Sequence, residues 1–95
     1  MTAFPLKLIY LKTTLPKNVP IQATFSVSKR VFKRAVHRNR VKRQMREAYR
    51  LQKATFFNHL KTPHAFMFLY LGKELPTFQT IQTAVKNIAA KIKDL

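Results

Sequence analysis

Between Ile21 and Ser28 the chain alternates without a break: Ile21, Ala23, Phe25 and Val27 are apolar, while Gln22, Thr24, Ser26 and Ser28 are polar. A period of two puts the first set on one side of a strand and the second on the other. This segment therefore needs a cover for one face and offers the other to water. Two further segments read as strands of a different kind. Residues 4–12 carry Phe4, Leu6, Leu8 and Tyr10 on one side and Lys7, Ile9 and Leu11 on the other, apolar on both faces. HAFMFLYLG, residues 64–72, sets Phe66, Phe68 and Tyr70 at even positions and aliphatic residues at odd ones, the pattern of a central strand buried on both sides. TTLPKNVP, residues 13–20, reads as a connection between antiparallel strands, with two prolines and a Lys17-Asn18 pair suited to a turn.

The cover comes from two helical patterns, expected near residues 36–57 and 78–93. On a wheel of about 100° per residue with Val41 at the origin, Met45, Ala48, Gln52 and Phe56 fall within about 60° of it. Tyr49 lies at the border. Lys42, Lys53, Arg46, Arg50 and Arg43 fill a contiguous arc from about 100° to 200°. The second pattern is Phe78, Ile81, Val85, Ile88 and Ile92, spaced by three and four behind Pro76, with Thr77 placed to cap it. The expected fold class is α+β: a small α/β sandwich, an antiparallel or mixed sheet of three or more strands packed by helices. No internal repeat, linker or low-complexity segment interrupts it, so residues 1–95 read as one domain.

Charge then asks for a partner. Nineteen Lys and Arg stand against three Asp and Glu, a formal charge of +16, and residues 29–53 hold eleven of those cations. Hydrophobic residues at 46% with a single glycine belong to a folded chain rather than to a disordered basic tail. Most charged helix faces are merely solvated. Such faces interleave Glu with Lys, however, whereas Lys42, Arg46 and Arg50 repel one another along a single ridge. Arginine predominates there, and its forked donors fit phosphate. A localised anion-binding surface is the better reading, for nucleic acid or an anionic membrane surface. No apolar run reaches the roughly 18 residues of a spanning helix. MTAFPLKLIYLKT has no basic region ahead of its apolar centre and is interrupted by Lys7 and Lys12, unlike a signal peptide. With no cysteine, a cytoplasmic location is expected.

The row Gln22, Thr24, Ser26 and Ser28, with Tyr10 on a neighbouring strand, offers hydrogen bonds and one stacking ring to a single strand. A polar outer strand face is also ordinary, and for Tyr10 and Phe4 core packing is favoured over stacking. Asn39 reads equally as a local cap or as an RNA contact between two arginines. Catalytic chemistry is poorly supplied. Glu47, Glu74 and Asp94 are scattered, and Glu47 has structural partners at hand in Arg43 or Arg50. His37, His59 and His64 lack metal-ligand spacing, and Gly72 alone forms no phosphate loop. No catalytic residue, metal or cofactor is expected on the protein itself.

SKRVFKRAVHRNRVKRQMREAYR, residues 28–50, resembles the signature of the bacterial ribonuclease P protein component. Its mark is Arg-Asn-Arg with Ala-Val before it and Lys-Arg and Arg-Glu-Ala after it. Ser28, Lys29, Ala35, Val36, Arg38, Asn39, Arg40, Lys42, Arg43, Arg46, Glu47 and Ala48 anchor the match, and the order of strands and helices agrees over nearly the whole chain. Many members have Lys-Lys-x-Gly-x-Ala-Val where this chain has KRVFKRAV, with Phe32 and Lys33 in the glycine region, so another loop path is expected here. The family usually opens with a helix and a short strand, which this chain starts too late to contain. A leader cleft walled by that helix would be opened by its loss.

The resemblance implies a protein subunit of a ribonucleoprotein endonuclease, with catalysis by the RNA and its magnesium. It implies a left-handed β-α-β crossover, one copy per catalytic RNA, no membrane, and binding of precursor tRNA through its single-stranded 5′ leader. Arg38, Asn39, Arg40, Lys42, Arg43 and Arg46, joined by Lys29, Arg30, Arg34 and Arg50, become the expected RNA contacts. The leader is expected across Leu8, Tyr10, Ser26 and Ser28. Two other classes share the charge and size. A structural ribosomal-RNA-binding protein would have no effect on tRNA processing, and a DNA-binding regulator would present base-reading side chains and a dimer seam.

Overall fold

The computed structural model describes residues 1–12, 21–59 and 64–92. Its elements in chain order are β1 (Thr2–Ala3), β2 (Leu6–Lys12), β3 (Ile21–Val27), α1 (Ala35–His59), β4 (His64–Tyr70) and α2 (Phe78–Ile92). The strands form one sheet in the order β1-β2-β4-β3. The aromatic strand β4 is central, as its even positions require: Phe68 pairs with Leu8 of β2 on one side and Phe25 of β3 on the other. β4 runs antiparallel to β2 and parallel to β3, so α1 is the crossover between two parallel neighbours. The strands β2 and β3 run antiparallel but are not a hairpin, because β4 lies between them. Residues 13–20, which join them, lie outside the described residues.

Both helices pack on one face of this sheet. Toward it α1 turns Val41, Met45, Ala48, Tyr49 and Phe56, and α2 turns Ile81, Val85, Ile88 and Ile92, all buried. These meet Leu6, Leu8, Phe66 and Phe68 in one cluster. Phe56 stands edge-on to Phe66 at 5.5 Å and to Phe68 at 6.2 Å. Each such ring pair adds about 0.5–1.5 kcal/mol beyond its buried area. Thr77 caps α2 as expected, its Oγ1 accepting from the Thr80 amide at 3.3 Å. Among the described residues no helix is long and apolar enough to cross a membrane.

Several sequence expectations need correction. β2 and β4 are apolar on both faces yet buried on one: Ile9, Leu11 and Met67 are exposed, Met67 by 42%. Two helices suffice for one face, and no described element covers the other. Thr2 and Ala3 form the short opening strand that the chain was expected to lack, pairing with Lys7 and Leu6. It is tied further by the Leu8 amide donating to the Met1 carbonyl at 2.8 Å and by Lys91 Nζ of α2 donating to the Thr2 carbonyl. Phe4 is not a core residue; it sits with Pro5 between β1 and β2 and is 76% exposed. Tyr10 is on the covered side by parity but lies toward the end of β2 and remains 38% exposed.

The lone glycine has a packing reason. The Tyr70 ring folds back over Gly72, where a Cβ would collide with its ring and hydroxyl, and that hydroxyl donates to the Glu74 carbonyl at 2.6 Å.

Candidate nucleic-acid interface

The loop from Ser28 to Arg34 brings the chain from β3 into α1. Ser28 accepts twice, its carbonyl from the Phe32 amide at 3.0 Å and its Oγ from the Arg30 amide at 3.1 Å. Phe32 then buries its ring against Tyr70 at 5.8 Å, so the residue standing in the family's glycine region anchors the loop. The helix starts with the Arg34 carbonyl accepting from the His37 and Arg38 amides, and no acid lies in its first turn. Its positive end is uncompensated by its own sequence.

On the helix the packed and cationic stripes separate as the wheel requires. Arg40, Arg43, Arg46, Arg50 and Lys53 are exposed and Lys42 half-buried, while Lys29, Arg30 and Arg34 are exposed on the loop. Asn39 is exposed inside the helix, past its first turn, and is therefore not its cap. Arg38 is half-buried and turned back: its Nη1 donates to the Phe32 carbonyl at 2.7 Å and the Lys33 carbonyl at 2.9 Å, pinning the loop to the helix. Its first role in the free protein is thus to hold the loop that presents its neighbours. Glu47 accepts from Arg50 in a two-pronged contact at 3.0 and 2.5 Å, and that hydrogen bond holds its carboxyl below the ordinary range. Arg46 lies over the Phe25 ring at 5.7 Å, and Lys53 over Phe57 at 5.2 Å.

The leader residues do not come together. Leu8 is fully buried under the helices and cannot touch a ligand in this fold. Ser26 belongs to the opposite face, since it pairs with Leu69, which pairs with Lys7. Ser28 is exposed just beyond β3. The residues that do share the open face lie in three cross-strand rows: Lys7, Leu69 and Ser26; Ile9, Met67 and Thr24; Leu11, Ala65 and Gln22. An apolar centre is thus flanked by a polar strip along β3. Periodicity had already grouped Gln22, Thr24 and Ser26; missing was the register that sets Ile9 and Met67, rather than Leu8, beside them.

Among the described residues no group of three or more His, Asp or Glu gathers as a metal ion would require. What the described surface supplies is a helix face rich in exposed cations on one side and an apolar-polar sheet face on the other.

The family model described as Ribonuclease P matches residues 2–93. A protein from Porphyromonas gingivalis named ribonuclease P protein component is 35% identical over 92 residues, covering 94% of this chain and 67% of its own length. Proteins of the same name from Chlorobaculum tepidum and Chlorobium phaeobacteroides are 37% and 34% identical, covering 74% and 93% of this chain and 51% and 69% of themselves. No solved structure matches the chain.

Proposed function

Because the chain belongs to the bacterial ribonuclease P protein family, we propose a division of labour between its two surfaces within that ribonucleoprotein. It is the protein component of ribonuclease P and acts in tRNA 5′ maturation. The cationic ridge of α1 and its entry loop bind the catalytic RNA, while the open sheet face receives the single-stranded leader of precursor tRNA. The observation that carries this is the ridge itself: of its cations, Arg50 is held by Glu47, while Arg40, Arg43 and Arg46 have no carboxylate partner among the described residues. A like-charged ridge gains most when phosphates neutralise it. On the open face, Ile9 and Met67 offer apolar contact to bases, and Gln22, Thr24 and Ser26 offer hydrogen bonds. Chemistry at the scissile bond falls to the RNA and its magnesium. One copy per catalytic RNA, in the cytoplasm, completes the proposal.

The test is reconstitution with a bacterial ribonuclease P RNA at low magnesium. Cleavage of precursor tRNA should rise on adding the chain, and an Arg40→Ala, Arg43→Ala variant should assemble more weakly by about 1–3 kcal/mol. Met67→Glu should leave assembly intact and reduce the advantage of long-leader substrates over leaderless ones. A chain that binds ribosomal RNA but leaves cleavage unchanged would overturn the reading.

A further inference from the structure

A groove of about 340 Å³ runs along the outer edge of β3 beneath α1, floored by Phe25 and Tyr49 and rimmed by Arg46, Arg50 and Lys53. The sheet order leaves that strand edge unpaired among the described residues. Three properties set the groove apart. Arg46 already occupies the Phe25 ring, so a base entering here would stack on the guanidinium rather than on the ring. Arg50 is held by a carboxylate in the two-pronged geometry that a phosphate would also take, so Glu47 stands in for an anion. Tyr49 is only 8% exposed, and its buried hydroxyl has no hydrogen-bond partner among the described residues. Unmatched buried donors are rare in folded proteins and ask for an explanation. Burial pushes this phenol up to about 12, so it holds its proton more tightly than a free phenol does.

We propose that this groove is a subsite for one nucleotide of a single-stranded RNA segment. Its phosphodiester is taken by Arg46, Arg50 and Lys53 with the Tyr49 hydroxyl donating to it, and its base lies on the Arg46 guanidinium. The proposal rests on the reading that the partner is RNA. It adds a site on the strand edge, apart from the open sheet face and the helix entrance, that shares Arg46 and Arg50 with the α1 ridge. Arg50 and Lys53 are long and exposed, so on binding Arg50 exchanges Glu47 for phosphate and the rim opens to Tyr49. The nucleotide comes from the catalytic RNA or from precursor tRNA, which share this chemistry.

Tyr49→Phe is the informative variant because it moves two readouts in unlike directions. A hydroxyl with no partner among the described residues adds no hydrogen bond to the fold, so the variant should melt no lower than the parent. Its affinity for RNA should nevertheless fall about three- to tenfold. Three probes are used: the catalytic RNA with the free chain, precursor tRNA with the assembled particle, and a short oligouridylate with the free chain. A loss in the first or second names the source of the nucleotide, while the third does not depend on cleavage and so survives failure of the ribonuclease P reading. Lys53→Gln should lower the log–log salt slope of binding by about 0.7–0.9. A lower melting temperature for Tyr49→Phe, affinities unchanged for all three probes, or an unchanged salt slope for Lys53→Gln would overturn the subsite.

Discussion

The two faces of the sheet are written in nearly the same residues and live in different surroundings. Leu8, Phe68 and Phe25 form a row beneath the helices, whereas Ile9, Met67 and Thr24 form the next row on the open side. Apolar content alone does not separate them in β2 or β4. What separates them is supply: α1 and α2 each bring one apolar stripe, and the two stripes together cover a single face. A strand that is apolar on both sides therefore marks either a core or a surface waiting for a ligand, and only the count of covering elements tells which.

The largest effect should come from adjacent positions on β4. Phe68→Ala removes a fully buried ring and should cost about 3–5 kcal/mol in chemical denaturation, while Met67→Ala should stay within about 0.5 kcal/mol. Equal costs would mean that the open face is covered in solution, and the comparison would collapse. Next, Gly72→Ala should cost about 1–3 kcal/mol by driving a methyl group into the Tyr70 ring, a measure of how little slack the covered face has at its end. A third test extends the contrast to cations. Arg38→Ala should lower stability by about 1 kcal/mol through its two loop carbonyls, whereas Arg40→Ala should leave the melting temperature unchanged and weaken RNA binding. The smallest effect is alkaline. Folding raises the Tyr49 phenol from 10.0 to about 12 by burial, and a raised acid supports the folded state below its unfolded value and loses that support as pH climbs through the folded one. The parent should therefore lose stability relative to Tyr49→Phe between about pH 10 and 12, readable as a difference in urea midpoints.

The sequence made plain whatever repeats within one element. The wheel separated Val41, Met45 and Ala48 from Arg43, Arg46 and Arg50, and alternation grouped Gln22, Thr24 and Ser26. It could not reveal relations between elements. Leu8 and Ser26 were expected to line one cleft, but sharing it depends on a register passed through β4, distant in sequence from both. A two-residue strand such as β1 is too short for any period, so Phe4 was read into a strand that begins after it. Arg38 looked like its neighbours because charge is visible in a sequence and side-chain direction is not.

The position of β4 also has a consequence for synthesis. A nascent chain that has released everything before residue 64 holds β2 and β3, but the strand that belongs between them has not yet emerged. Apart from β1 on β2, the sheet has no ladder to close until that last strand arrives. Its closing contacts join residues far apart in the sequence, the feature that slows folding and prolongs exposure of apolar strands. On the ribosome this protein should remain open through most of its translation, then collapse as a unit once the aromatic strand and α2 clear the exit tunnel.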